Sequence, residues 1–219
     1  PSGQGMNESL HTHKDLNTHT PRWHPWLAAL LPALCLLPFI NKAYHIDDTV
    51  YLYVAEHIQQ HPLDFFGFQM NWSDRPEWVY AFNKNPPGLS YYLAVMAFFL
   101  GWSEPAMHFS MLLCTMLASL GMYKLATLYC KHPLLATAIG VLTPAFLVSN
   151  SNVMCEPLML AFYVWALYHW IHGLNTDTPK HLLYSMALIA LGTLTKYIVI
   201  TALPLLFVYT LCRKGRFTR

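Results

Sequence analysis

Two adjacent carboxylates, Asp47 and Asp48, stand where the first long apolar segment of the chain runs out. Acids at the mouth of a lipid-buried stretch are costly to keep there and usually serve a function. Partial burial beside a second acid is the setting in which a carboxyl becomes a general base near neutral pH. One of the two would then take a proton, and the other would orient it or hold a metal. A plainer reading makes Asp48 a helix N-cap and Asp47 a favourable charge at the positive end of that helix. His45, two residues earlier, is either a metal ligand or a surface histidine. Further on, Lys84 precedes Asn85-Pro86-Pro87-Gly88, where a lysine at headgroup level can neutralise a phosphate or simply snorkel. Glu156 opens an apolar helix after a polar run, placed to join an active site or to meet the helix dipole. Lys196 interrupts the last apolar block, where a lysine at mid-bilayer would cost about 2.5–3.5 kcal/mol.

These groups are carried by an unusually apolar chain. Of its 219 residues 55% are hydrophobic and only 11% charged, and the mean hydropathy is +0.31. A soluble domain needs about 25% charged residues, so the excess belongs to lipid-facing surface in an integral membrane protein. The net charge of +2 is too small to suggest a nucleic-acid partner, and none is expected. Arg213, Lys214, Arg216 and Arg219 crowd the C-terminus directly after an apolar run, which marks a cytoplasmic end. The five cysteines are scattered without a Cys-x-x-Cys pair, so neither a disulfide framework nor a thiolate metal site is supported.

Residues 1–23 form a polar, His-rich leader read as disordered, and residues 24–219 a transmembrane region. Apolar blocks run over about 24–40, 88–102, 106–130, 133–149, 153–173 and 182–212. A span needs about 20 residues, so 88–102 is short. The block at 182–212 is too long, and reads as two short helices meeting at Lys196 or as one long tilted helix. Residues from about 41 to 87 make the first external loop. Tyr51, Val54, Ala55 and Ile58 recur there at i, i+3, i+4 and i+7, opposite Thr49, Glu56, Gln59 and Gln60. That spacing predicts an amphipathic helix of about three turns, capped by Asp48-Thr49, ended by Pro62 and lying on the membrane surface. Phe65, Phe66, Phe68, Trp72, Trp78, Tyr80 and Phe82 follow as a headgroup-level aromatic belt; Trp72 or Trp78 could also stack on a sugar.

The ordered runs HIDDTVYLYVAEHI (45–58), NKNPPGLSYYL (83–93), WSEPAMHFS (102–110), MCEPLMLAFYVWALY (154–168) and LGTLTKY (191–197) resemble the GT-C membrane glycosyltransferases. Within these, the set is similar to the aminoarabinose transferase and protein O-mannosyltransferase group, over nearly the whole chain from Trp26 onward. The resemblance implies an all-α fold, a GT-C-like transmembrane helix bundle, in the inner (plasma) membrane. It implies transfer of a sugar from a polyprenyl-phosphate donor to a hydroxyl of a lipid, glycan or protein acceptor on the external face. Asp47 is then the catalytic carboxylate, with Asp48 beside it. Lys84, Tyr51 (or Tyr53), Glu156 and Lys196 are the donor-phosphate or substrate-binding residues. A divalent ion, if used, would be held by Asp47 and Glu156. Two positions depart from the family pattern: Asn85 stands where the lysine before Pro-Pro belongs, with Lys84 one place earlier, and Tyr197 replaces a glycine. Such enzymes are typically much longer, so the chain looks like the N-terminal part of one.

Topology makes a demand of its own. Asp47, Glu156 and Lys196 can share a site only if an even number of spans separates Asp47 from Glu156, yet three apolar blocks lie between them. The short 88–102 block is the one expected not to cross. Other readings are a transporter or channel with Lys196 and Asn150 lining a path, and an inactive truncated transferase.

Overall fold

The computed structural model describes residues 21–217, with side chains as far as Arg213. The expected leader lies almost wholly outside the described residues, as does Arg219. Among the described residues the chain is a helical bundle with one small hairpin. Helix α1 spans His24–Leu36 and closes with a 3-10 turn at Leu37–Phe39. The first loop holds α2 (Asp48–Gln60), strands β1 (Gln69–Asn71) and β2 (Pro76–Trp78), and a single turn, α3 (Val79–Phe82). Then come α4 (Gly88–Leu100) and α5 (Glu104–Ala126). The bent pair α6 (Pro133–Val141) and α7 (Pro144–Asn150) turns through 65°. Helices α8 (Cys155–Thr176), α9 (Pro179–Thr195) and α10 (Ala202–Phe217) complete the order. By length and apolarity, among the described residues, α5 passes as a membrane-crossing helix by itself, and α6–α7 as a broken span or a re-entrant loop.

Prolines set many of the boundaries. Pro105, Pro133, Pro144 and Pro179 occupy first-turn positions, where the missing N–H loses no bond. The α6–α7 bend falls between Val141 and Pro144, and the Thr143 side chain accepts from the Phe146 amide to start the new helix. Helix α9 stops because Lys196 is extended, at φ −152° and ψ 126°. The last apolar block is therefore two helices joined by a 3-10 turn over Tyr197–Thr201, and the single long helix is ruled out.

Side-chain contacts sort the bundle into two ends. At one, His24 meets Tyr123, Trp170 bonds Thr210, Tyr129 bonds Tyr209, and Arg213 donates to Asn175. At the other lie the first loop, the Asn150–Met154 turn and Lys196. Helix α4 begins and finishes at this second end. Ser90 at its start donates to the Tyr51 carbonyl (3.0 Å), and Tyr44 donates to the carbonyl of Trp102 just past its end (2.9 Å). The segment from 88 to 102 thus has both of its ends at the loop end of the bundle.

Three expectations need correction. The apolar face of α2 does not lie against a membrane surface: Tyr51, Val54, Ala55 and Ile58 are buried against Val79, Leu89, Leu93, Met107 and Met111, because α4 offers that face a protein partner. Capping is shifted by one residue. Asp47 is the N-cap and makes no capping bond through its side chain, while Asp48 is the first helical residue. The aromatic belt divides, with Phe65, Phe66, Phe68 and Phe82 packed on the same core. Trp78 and Tyr80 remain exposed and stacked on each other, 5.9 Å apart. The loop also contains an antiparallel hairpin with Gln69 opposite Trp78, which an all-helical expectation omitted.

Candidate functional site

Asp48 is fully buried, and both its oxygens are taken by backbone amides. Oδ2 accepts from His45 N at 2.9 Å and Oδ1 from Val153 N at 3.1 Å. Charge-assisted bonds of this kind keep a buried carboxylate satisfied. Because Val153 lies 105 residues away, Asp48 fastens the first loop to the turn that starts α8. Lys42 reinforces the same fastening from the other side, donating to Asn152 Oδ1 and to the Ser151 carbonyl.

One step beyond that clamp, side chains from four elements converge. Asn85 donates to the Tyr51 hydroxyl at 2.9 Å. Burial pushes the Tyr51 phenol well above its ordinary value, and neighbouring Cys155 and Glu156 push it further. Glu156 in turn is paired with Lys196 across 2.5 Å. The start of α4 is pressed against the end of α9: a Cβ on Gly88 would lie 2.4 Å from the Leu194 carbonyl oxygen. Only glycine permits that approach, and it brings Asn85 and Lys196 into one neighbourhood. Tyr51, Glu156 and Lys196, picked out by sequence, are thus brought together.

Asp47 stands at the rim. Its side chain is 47% exposed, and Oδ2 lies 3.7 Å from His45 Nδ1. Among the described residues no backbone amide engages its carboxylate as two do that of Asp48. Lys84 is exposed and turns back to donate to the Ala81 carbonyl at 2.5 Å; the contact with Tyr51 is made by Asn85 instead. Asn85 was visible in the sequence only as a departure from pattern, and Cys155 and Lys42 carried no signal there. Tyr44 closes the upper side of the loop, with its ring stacked on His108 at 5.8 Å. Burial first, then the Glu104 and Asp48 charges, push its phenol up to about 12.

The residues do not fit a divalent ion. Glu156 is committed to Lys196 and Asp47 to the neighbourhood of His45. Among the described residues no three His, Cys, Asp or Glu side chains gather as a metal would need. Among the described residues no third side chain of these types joins Asp47 and Glu156.

No curated protein and no solved structure matches the chain significantly. Residues 84–219 match the model of the dolichyl-phosphate-mannose-protein mannosyltransferase family. The matched stretch begins at Lys84, so it takes in Asn85, Glu156 and Lys196 and stops short of the acidic pair and Tyr51. It covers well over half of the chain, and its helices are the ones that converge on the Glu156–Lys196 pair; the chain belongs to the dolichyl-phosphate-mannose-protein mannosyltransferase family.

Proposed function

We propose that this chain is the part of a multi-pass inner-membrane glycosyltransferase that carries its acidic site, moving a sugar from a polyprenyl-phosphate donor to an acceptor hydroxyl at the external face. The observation that carries this reading is the meeting of the first loop, α4, α8 and α9 at one end of the bundle. There an accessible carboxylate stands next to a buried one that anchors it. The external assignment rests on charge, because Arg213 and Lys214 stand in the last turns of α10, at the opposite end.

In the proposed reaction Asp47 accepts the proton of the acceptor hydroxyl as that oxygen bonds to the anomeric carbon. The bond from that carbon to the phosphate oxygen breaks, and the lipid phosphate leaves with the electron pair. Lys196, one-third exposed and held by Glu156, and Lys84 at the loop surface supply positive charge to the departing phosphate. Tyr51 and Asn85 line the side of the site against which the sugar is held. Asp48 is a positioning residue: with no free lone-pair face toward solvent, it sets the backbone from which Asp47 projects. A transport path lined by Lys196 and Asn150 has less support. Lys196 is paired with Glu156, and Asn150 bonds both Thr115 and the Phe146 carbonyl.

The test is Asp47→Asn in the full-length protein, assayed with a polyprenyl-phosphate sugar in membranes. Transfer is expected to fall while expression, insertion and thermal stability stay unchanged. Full transfer by this variant would remove Asp47 from the reaction.

A further inference from the structure

The end of the bundle opposite the site holds three half-buried imidazoles. His169 and His172 stand one turn apart in the last turns of α8, and His181 lies in the first turn of α9. Nδ1 of His169 is 2.9 Å from Nδ1 of His181. Two ring nitrogens at that distance share a single proton: one ring donates its N–H and the other accepts through a lone pair. The bond holds when both rings are neutral, and also when one of them is imidazolium. With both charged, two N–H groups face each other and two positive charges meet, so the bond is lost. His172 adds a third ring, edge-on to His181 with centroids 4.7 Å apart. The helices are close here: a Cβ on Gly173 would come within 3.0 Å of that of His181.

The charges around these rings are mostly positive. From α5, Lys124 brings its charge to His172. On α9, Lys180 precedes His181 and is exposed, and on α10, Arg213 donates to Asn175. Asp177 lies in the exposed turn between α8 and α9, but among the described residues no carboxylate pairs with any of the three rings. The other titratable neighbours are phenols: Tyr168 is stacked on His172 at 5.4 Å, and Tyr184 packs against His169 and His181 at 5.7 and 5.9 Å.

We propose that the His169–His181 bond is an acid-sensitive latch between α8 and α9, closed while the pair holds at most one added proton and open when both rings are charged. As the pH falls through the ordinary imidazole range, near about 6.5, the opened hairpin takes up the second proton and the closed one does not. The contribution of the bond is therefore complete above that range and is lost below it. The same two helices begin beside Glu156 and end beside Lys196 at the loop end. An effect of opening on transfer would rest on the proposed reaction, whereas the latch itself does not.

Amide hydrogen exchange read by mass spectrometry, in the full-length protein in lipid nanodiscs, tests the latch, with rates corrected for their intrinsic dependence on pH. Protection of the hairpin over residues 165–184 is expected to fall several-fold between about pH 7.5 and 5, while α5 keeps its protection. His169→Gln supplies a side chain that donates to a neutral His181 and accepts from a charged one, without a charge of its own. In that variant the fall should disappear. His181→Gln reverses the roles and should behave alike, which keeps the test open if one variant does not fold. Hairpin protection that stays constant in the natural protein would overturn the inference. So would a fall in the Gln variants as large as in the natural protein, or one shared equally by α5. Exchange does not require transfer activity, so failure of the proposed reaction would leave this result intact.

Discussion

The two ends of the bundle are polar in different ways. At the loop end, bonds join residues far apart in sequence and involve full charges: Asp48 with Val153, Lys42 with Ser151 and Asn152, Glu156 with Lys196. At the opposite end the contacts within the bundle are largely neutral, as in Trp170 with Thr210, Tyr129 with Tyr209 and His169 with His181 across 2.9 Å. Charge in an apolar bundle is expensive to retain. On the proposed reaction the charged, long-range bonds belong to the reacting end, and the bonds opposite serve packing. The neighbours Asp47 and Asp48 repeat the contrast within one turn of chain.

The sharpest way to break that picture is to change the two aspartates separately. Asp47→Asn should lower transfer by about 10²- to 10⁴-fold, the usual worth of a general base, with no change in unfolding midpoint. Asp48→Ala should instead destabilise the fold by about 2–4 kcal/mol, because two amides lose a charged acceptor and that of Val153 is buried. Denaturant unfolding in detergent micelles measures the second effect, and a radiolabelled sugar-transfer assay the first. If both variants lost stability equally, the division of labour would be wrong.

A smaller effect is expected for the pair beyond the clamp. Glu156→Gln and Lys196→Met should each reduce transfer, and their double-mutant cycle should give a coupling of about 1 kcal/mol, modest because both side chains are partly exposed. Strict additivity would mean that the two act independently. At the opposite end, Trp170→Phe removes one bond to Thr210 and should cost about 0.5–1.5 kcal/mol of stability while leaving transfer at the wild-type rate. A large loss of transfer there would erase the distinction between the ends.

How much of this was legible in the sequence follows the same line. The boundaries of α2 and of the apolar blocks could be read because period and proline act locally. A break at Lys196 was one of two readings of the last apolar block, because a lysine is costly in lipid; the extended Lys196 backbone decides between them. Parity and its shortness together singled out 88–102 as the segment expected not to cross. What could not be read depends on contacts between distant residues. The burial of the α2 face against α4, the capture of Val153 by Asp48, and the use of Asn85 in place of Lys84 all require knowing which segments meet. The resemblance gathered Tyr51, Glu156 and Lys196 as site residues, but only the fold shows that Glu156 is paired with Lys196.

The smallest effect concerns Tyr44, at the upper edge of the loop end, and its sign can be worked out in advance. In the folded protein the phenol is pushed up to about 12, first by burial and then by the Glu104 and Asp48 charges, against about 10 when unfolded. A raised acid is held in its neutral form by the fold. Its contribution is therefore complete below pH 10 and is lost as the pH rises toward 12. Tyr44→Phe removes the bond to the Trp102 carbonyl, so at pH 8 the variant should be less stable by about 0.5–1.5 kcal/mol. The variant has no phenol to ionise at this position. The gap between the two proteins should accordingly narrow between pH 10 and 12, in urea unfolding curves followed at a series of pH values. A gap of constant size across that window would show that Tyr44 is not shielded and that the loop end is more open to water than its packing implies.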